Sequence, residues 1–298
     1  MLPTLLVLLT AIPHVVTSRK CPEKSSFPSP PPDASGRTMP ANMIRVAVPL
    51  STSPQGLASP TSSAPPAGTN AAAERHVRNV WKHADAVCFD VDSTVCEDEA
   101  IDELAEYLGV GEEVALATRK AMNGSTGFRE ALAARLEIIR PSRVAMEEFA
   151  KRPPKLTVGI KELIHALHKR GTHVYLVSGG FRSIIKPVAD LLSIPHARIY
   201  ANEVLFDHAG QYLGFDENEL TSDSGSKKVG KAGVCDLLKR QHKYKHLVMV
   251  GDGATDLEAS PPADAFIGFG GNVVRQNVRE GAGWFVTSFD TLNKELQH

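Results

Sequence analysis

The sequence predicts an α/β protein: a Rossmann-like parallel sheet flanked by helices, with a small helical unit inserted after the first strand. Three observations carry that expectation. Apolar runs of the kind buried in parallel sheets begin at Ala86, at His173 and at His246. Helical patterns separate the later runs, and strands alternating with helices build a parallel sheet covered on both faces. Between about residues 98 and 154 that alternation stops, and only helical patterns appear.

Taken in order, residues 1–16 are apolar, but too short and too interrupted by proline for a membrane span. Val16-Thr17-Ser18 resembles a small-residue cleavage site, although no Lys or Arg precedes the apolar run, so a signal peptide stays open. Residues 19–73 are rich in Pro, Ser, Thr and Ala and poor in acids, a composition that cannot bury enough surface to fold alone. Residues 1–73 are therefore expected to be a targeting or disordered extension. The composition fits a two-part organelle address, to a plastid or a mitochondrion. The alternatives are a cytoplasmic protein with a disordered tail and a misplaced start codon.

The globular part is expected over residues 74–298. Val77, Val80 and Trp81 have helical spacing and lead into the strand at Ala86. Ile101, Leu104, Ala105 and Leu108 repeat at i, i+3, i+4, i+7, and Gly109 is a helix stop. Helices follow over 112–122, 128–139 and 142–151, punctuated by Pro141 and Pro153-Pro154. Ile160, Leu163, Ile164 and Leu167 mark a helix ending at Gly171. The strand 173–177 comes next, followed by a helix over about 181–192 and a short strand over 197–201. Segments 204–206 and 212–215, joined by a turn at Gly210, read as a hairpin. A helix over 231–241, the strand 246–250, and two weaker strands over 265–269 and 284–287 complete the chain.

Composition narrows the function. Hydrophobic content of 42% in 298 residues permits a sizeable core, and a net charge of −1 points to neither nucleic acid nor an anionic membrane. The four cysteines (Cys21, Cys88, Cys96 and Cys235) are scattered, which fits neither a zinc site nor a disulfide framework. Reduced thiols are expected in the folded part.

The chemistry sits where the strands end, since ligands of open α/β sheets bind just past the strands' carboxyl ends. The first strand delivers Asp90 and Asp92, which could be a nucleophile with an acid, a metal site, or merely a helix cap. The second ends in Ser178-Gly179-Gly180, a hydroxyl with unencumbered amides before a helix, suited to cradling phosphate. The third leads into Asp252 and Asp256, candidates for completing a cation site and for supporting it. Each signature alone could be an ordinary turn or cap. Together at adjoining strand ends they suggest Mg²⁺-assisted phosphoryl transfer, with a helping lysine among Lys227, Lys228 and Lys231.

DVDST at 90–94, SGG at 178–180, a downstream lysine and GDGATD at 251–256 resemble the four motifs of the haloacid dehalogenase superfamily. More closely, FDVDSTV, IDELA, AARL, VSGGFRS, MVGDGATDLEA and FIGFGGN are similar to the phosphoserine phosphatase family, from about Val80 to the C-terminus. The resemblance implies Mg²⁺-dependent hydrolysis of phosphoserine through an aspartyl-phosphate, the last step of serine biosynthesis. It implies Asp90 as nucleophile and Asp92 as acid and base. Asp90, the Asp92 carbonyl and Asp252 would hold Mg²⁺. Ser178, Gly179, Gly180 and a lysine would hold the phosphoryl group, with Thr255 and Asp256 supporting the site. The helical unit would be a cap carrying Arg135 for the substrate carboxylate, while Glu99 would take its ammonium.

Two departures stand out. Where the family has a Met-Gly pair near the substrate, this chain has Met122-Asn123. The run Ser224-Gly225-Ser226-Lys227-Lys228-Val229-Gly230-Lys231 is longer than the family's, which favours Lys231, at the helix start, over Lys227. The partner expected is a small-molecule substrate, without nucleic acid or membrane for the folded part; a homodimer is left open. The rival readings are a phosphatase for another small ester, a phospho-acceptor signalling domain and a catalytically dead binding module.

Overall fold

The computed structural model describes residues 67–122 and 126–297. Its first element is helix α1, Ala67–Lys82, followed by strand β1, Ala86–Phe89. Directly after Asp90 the chain makes one wide turn, Val91–Val95, in which the Val91 carbonyl accepts the Cys96 N–H at 2.8 Å. Four helices follow: α2 (Ala100–Tyr107), α3 (Gly111–Met122), α4 (Phe128–Ile139) and α5 (Arg143–Ala150). The α/β rhythm then resumes with α6 (Ile160–Lys169), β2 (His173–Phe181), α7 (Arg182–Leu191) and β3 (Ile199–Asn202). A hairpin, β4 (Val204–Phe206) and β5 (Tyr212–Phe215), leads to α8 (Gly230–His242). The remainder is β6 (Leu247–Gly251), α9 (Ala254–Leu257), β7 (Ala265–Phe269), α10 (Gln276–Gly281), β8 (Trp284–Val286) and α11 (Phe289–Glu295).

Six strands form one parallel sheet in the order β3-β2-β1-β6-β7-β8. β1 lies between β2 and β6, so the winding direction reverses beside it, which is where an open α/β sheet leaves a crevice. The registers are level: Phe89 stands opposite Leu176 on one side and Val250 on the other. Asp90, Ser178 and Asp252 therefore emerge from adjoining strand ends.

Alternation along β1 divides its side chains between two cores. Val87 and Phe89 join one buried cluster with Val77 and Trp81 of α1, Leu163 of α6 and Leu292 of α11. Ala86 and Cys88 join the other with Val234 and Leu238 of α8. The inserted helices have their own apolar cluster, built on Leu104, Leu132, Leu136 and Phe149, which reaches Tyr212 and Phe215 of the hairpin.

Several elements differ from their sequence reading. α1 begins at Ala67, seven residues ahead of the expected globular boundary at 74; alanine-rich helix formers extend it where apolar spacing gives no signal. β2 runs on through Ser178-Gly179-Gly180 to Phe181, so these amides belong to an extended segment and not to a helix N-terminus. α10 and α11 went unread because both are short and only weakly periodic. Among the described residues no helix is long and apolar enough to cross a membrane.

Candidate active site

Asp90 follows the last residue of the central strand and is buried. Its Oδ1 accepts the Val91 N–H at 2.7 Å and lies 2.7 Å from the Lys231 ammonium. Burial, with Asp256 close by, pushes Asp90 well above the usual carboxylate range despite the pull of Lys231. Lys231 enters from the first turn of α8 and also holds Asp256 Oδ1 at 2.6 Å. Burial alone would lower its pKa, but Asp256 and Asp90 outweigh it and hold the lysine above its ordinary range. Lys227 and Lys228 are exposed, so the geometry selects Lys231 among the three candidates.

Asp92 sits on the wide turn, where the backbone opens to φ −64°, ψ 135°. Its Oδ1 accepts the Ala100 N–H at 2.8 Å, and its Oδ2 accepts the Ser178 hydroxyl at 3.2 Å. Burial raises Asp92, and the Ala100 N–H is the largest influence opposing it. A raised carboxyl beside a nucleophile is suited to carrying a proton. The Ser178 hydroxyl oxygen in turn accepts the Gly180 N–H at 2.8 Å. Side chains would crowd the site here: a Cβ on Gly180 would lie 3.0 Å from Asp92 Oδ2, and one on Gly179 would meet the Phe128 ring at 2.7 Å.

β6 brings the third acid. Asp252 Oδ1 accepts the Thr94 hydroxyl at 3.0 Å, and its Oδ2 pairs with Arg275 Nε at 2.9 Å. Asp256 folds back over Gly251, where a Cβ would stand 2.2 Å from its carboxyl carbon. Its Oδ2 accepts the Gly253 N–H at 2.9 Å. Asp90, Asp252 and Asp256 all offer oxygens within 4.8 Å of one another, and these hard donors fit a divalent cation. Both Asp256 oxygens already face protein donors, which fits a supporting role for it.

Asp90, Asp92, Gly179, Gly180, Lys231 and Asp252 line one cavity of about 170 Å³, which Glu99, Arg135 and Thr255 also line. Glu99 precedes α2 and accepts the Ser93 hydroxyl at 2.9 Å; burial raises it. Arg135, half-buried on α4, donates to the Ala131 carbonyl at 3.3 Å, and burial lowers its pKa. Met122 closes α3; its side chain, like Asn123, lies outside the described residues.

Residues 84–264 match the haloacid dehalogenase-like hydrolase family. The chain is 52% identical over 222 residues to the phosphoserine phosphatase of Bos taurus, covering 74% of this chain and 97% of that one. The chain belongs to the phosphoserine phosphatase family. A chloroplastic phosphoserine phosphatase of Arabidopsis thaliana is 49% identical, over 76% of this chain and 77% of its own length. A solved structure described as a phospho-aspartyl intermediate analogue of phosphoserine phosphatase superposes with a TM-score of 0.58 at 26% identity, over 71% of this chain and 98% of that one.

One basic residue lining this cavity, Arg275, escaped the sequence reading. Arg275 bridges Asp252 and Glu99, with Nη2 at 3.0 Å from Glu99 Oε1, and both acids hold it firmly charged. It follows β7, whose place beside β6 sequence periodicity does not reveal. Its one signal was its position, three residues past the string FIGFGGN. Asn272 within that string was also passed over: its amide approaches the Ser93 carbonyl at 3.1 Å and the Thr157 hydroxyl at 2.7 Å, tying down the turn that carries Asp92.

Proposed function

We propose that this chain hydrolyses phosphoserine to serine and phosphate through a covalent intermediate on Asp90. One observation carries the reading. The cavity lined by Asp90, Asp92, Asp252 and Lys231 is also lined by Glu99 and by two guanidiniums, Arg135 and Arg275. That set complements a phosphate ester whose alcohol carries both an ammonium and a carboxylate. A sugar phosphate would need neither.

Asp90 attacks phosphorus, and the bond from phosphorus to the serine oxygen breaks. Asp92 donates its proton to that leaving oxygen. It then takes a proton from water as the water oxygen attacks the same phosphorus and the bond to Asp90 breaks, releasing phosphate. Lys231, Ser178 and the amides of Gly179 and Gly180 hold the phosphoryl oxygens. Asp256 positions Lys231, Thr255 lines the site, and the inserted helices act as a cap that excludes water. Asp90, the Asp92 carbonyl and Asp252 would hold Mg²⁺, which when bound offsets the repulsion between carboxylate and phosphate.

The test is phosphate release with Mg²⁺ from phosphoserine, phosphothreonine, phosphotyrosine and several sugar phosphates. A clear preference for phosphoserine, with KM raised by Arg135→Glu, is expected. Equal turnover of sugar phosphates, or an Arg135→Glu enzyme with unchanged KM, contradicts the amino-acid reading. The residues ahead of α1, 1–66, we read as an organelle address, supported by their composition and by the chloroplastic plant relative. A fluorescent protein fused behind them should collect in an organelle, and diffuse cytosolic signal argues against that.

A further inference from the structure

The turn that carries Asp92 is held from outside by two side chains. Ser93, the residue after Asp92, sits in the left-handed region at φ 54°, which a serine keeps only where its surroundings hold it there. The Asn272 amide, from the loop after β7, donates to the Ser93 carbonyl at 3.1 Å. The Thr157 hydroxyl, from the segment between α5 and α6, donates to the Thr94 carbonyl at 2.7 Å. Asn272 also donates to that hydroxyl's oxygen at 2.7 Å and reaches the Cys96 carbonyl at 3.3 Å. Cys96 and Thr157 lie on the two segments that join the inserted helices to the sheet domain, where Cys96 bridges antiparallel to Leu156. One amide thus ties the turn to both junction segments.

These contacts demand an amide. Two of the partners are backbone carbonyls, and the Thr157 proton is already given to Thr94, so Asn272 faces three acceptors. An aspartate of the same outline would bring only acceptors of its own. The inward side of the braced turn is all site. Asp92 Oδ2 meets the Ser178 hydroxyl at 3.2 Å, while the hydroxyls of Ser93 and Thr94 go to Glu99 at 2.9 Å and Asp252 at 3.0 Å. Asn272 is not among the residues lining the substrate cavity, so its route to the reacting atoms is this turn.

We propose that Asn272 is a positioning residue for the acid and base of the reaction: with Thr157 it fixes the turn so that Asp92 stands at the leaving oxygen. The inference rests on the function proposed above, in which Asp92 moves the proton.

The test is a double-mutant cycle on the full-length protein, hydrolysing phosphoserine with Mg²⁺: wild type, Asn272→Asp, Asp92→Asn and the double variant. A displaced catalytic group can lose on the order of 10² in rate, and Asn272→Asp should lower kcat by about that factor with KM little changed. In the Asp92→Asn background the same substitution should add almost no loss, since residues that act through one another are not additive. Should Asn272→Asp fold poorly, Thr157→Val serves in its place, removing the hydroxyl that holds the Thr94 carbonyl. Unchanged kcat overturns the proposal. So does an equal fold-loss in both backgrounds, which a merely structural role would give. A raised KM with kcat intact would place the effect at Glu99, and a loss repaired by excess Mg²⁺ would place it at Asp252; either result overturns it. A wild-type protein inactive on phosphoserine would defeat the function proposed above, and this inference with it, whatever the variants do.

Discussion

Asp92 works only if the backbone that holds phosphate can come close to it, and Gly180 makes the room. Gly180→Ala would place a methyl 3.0 Å from Asp92 Oδ2 and 3.1 Å from Ser178 Oγ, both in the site. Its kcat should fall while Tm hardly moves; unchanged kcat would show that the close approach is idle. Asp92→Asn keeps the shape and removes the proton, so kcat should drop by about 10²–10⁴. Lys231 faces two buried carboxylates, Asp90 and Asp256. Lys231→Ala leaves those charges uncompensated, and a urea titration should record a loss of roughly 3–5 kcal/mol; no loss would mean the carboxylates bind protons instead. Asp90, Asp92, Ser178 and Asp252 stood out in the sequence because each comes just after an apolar run. Arg275 did not, because its role depends on a neighbour 23 residues away across the sheet.

At the scale of elements, α1 anchors the start of the folded chain. Trp81 is fully buried against the α11 side of the sheet, and its indole N–H donates to the Leu292 carbonyl at 3.1 Å. Trp81→Ala should cost about 3–5 kcal/mol in chemical denaturation, and a cost near zero would mean that α1 is dispensable. The helical insertion, the hairpin and the strands came through from periodicity and punctuation. The extension of β2 through two glycines did not, since glycine carries no strand preference and the pairing of Phe181 with Asn202 supplies it. The wide turn after Asp90 was equally hidden, for it depends on a left-handed Ser93 (φ 54°) that the Asn272 amide braces from beyond β7.

For the whole molecule, the decisive feature is the reversal of strand order beside β1, which sets three acids and a lysine around one point. Four carboxylates, Asp90, Asp92, Asp252 and Asp256, against Lys231 and Arg275 leave excess negative charge at the site, into which a phosphate dianion would have to enter. EDTA should therefore abolish phosphate release and Mg²⁺ restore it, and full activity in EDTA would contradict the cation site. The sequence made the α/β class and the four motifs readable. Which strands lie side by side is set by long-range packing, and only the structure supplies it. The most direct test of the central claim is an acid quench of the enzyme turning over [³²P]phosphoserine. The account predicts acid-stable label on the Asp90 peptide that forms and decays within the turnover time and is absent from Asp90→Asn. Phosphate release without any protein-bound label, or label on another residue, would contradict it.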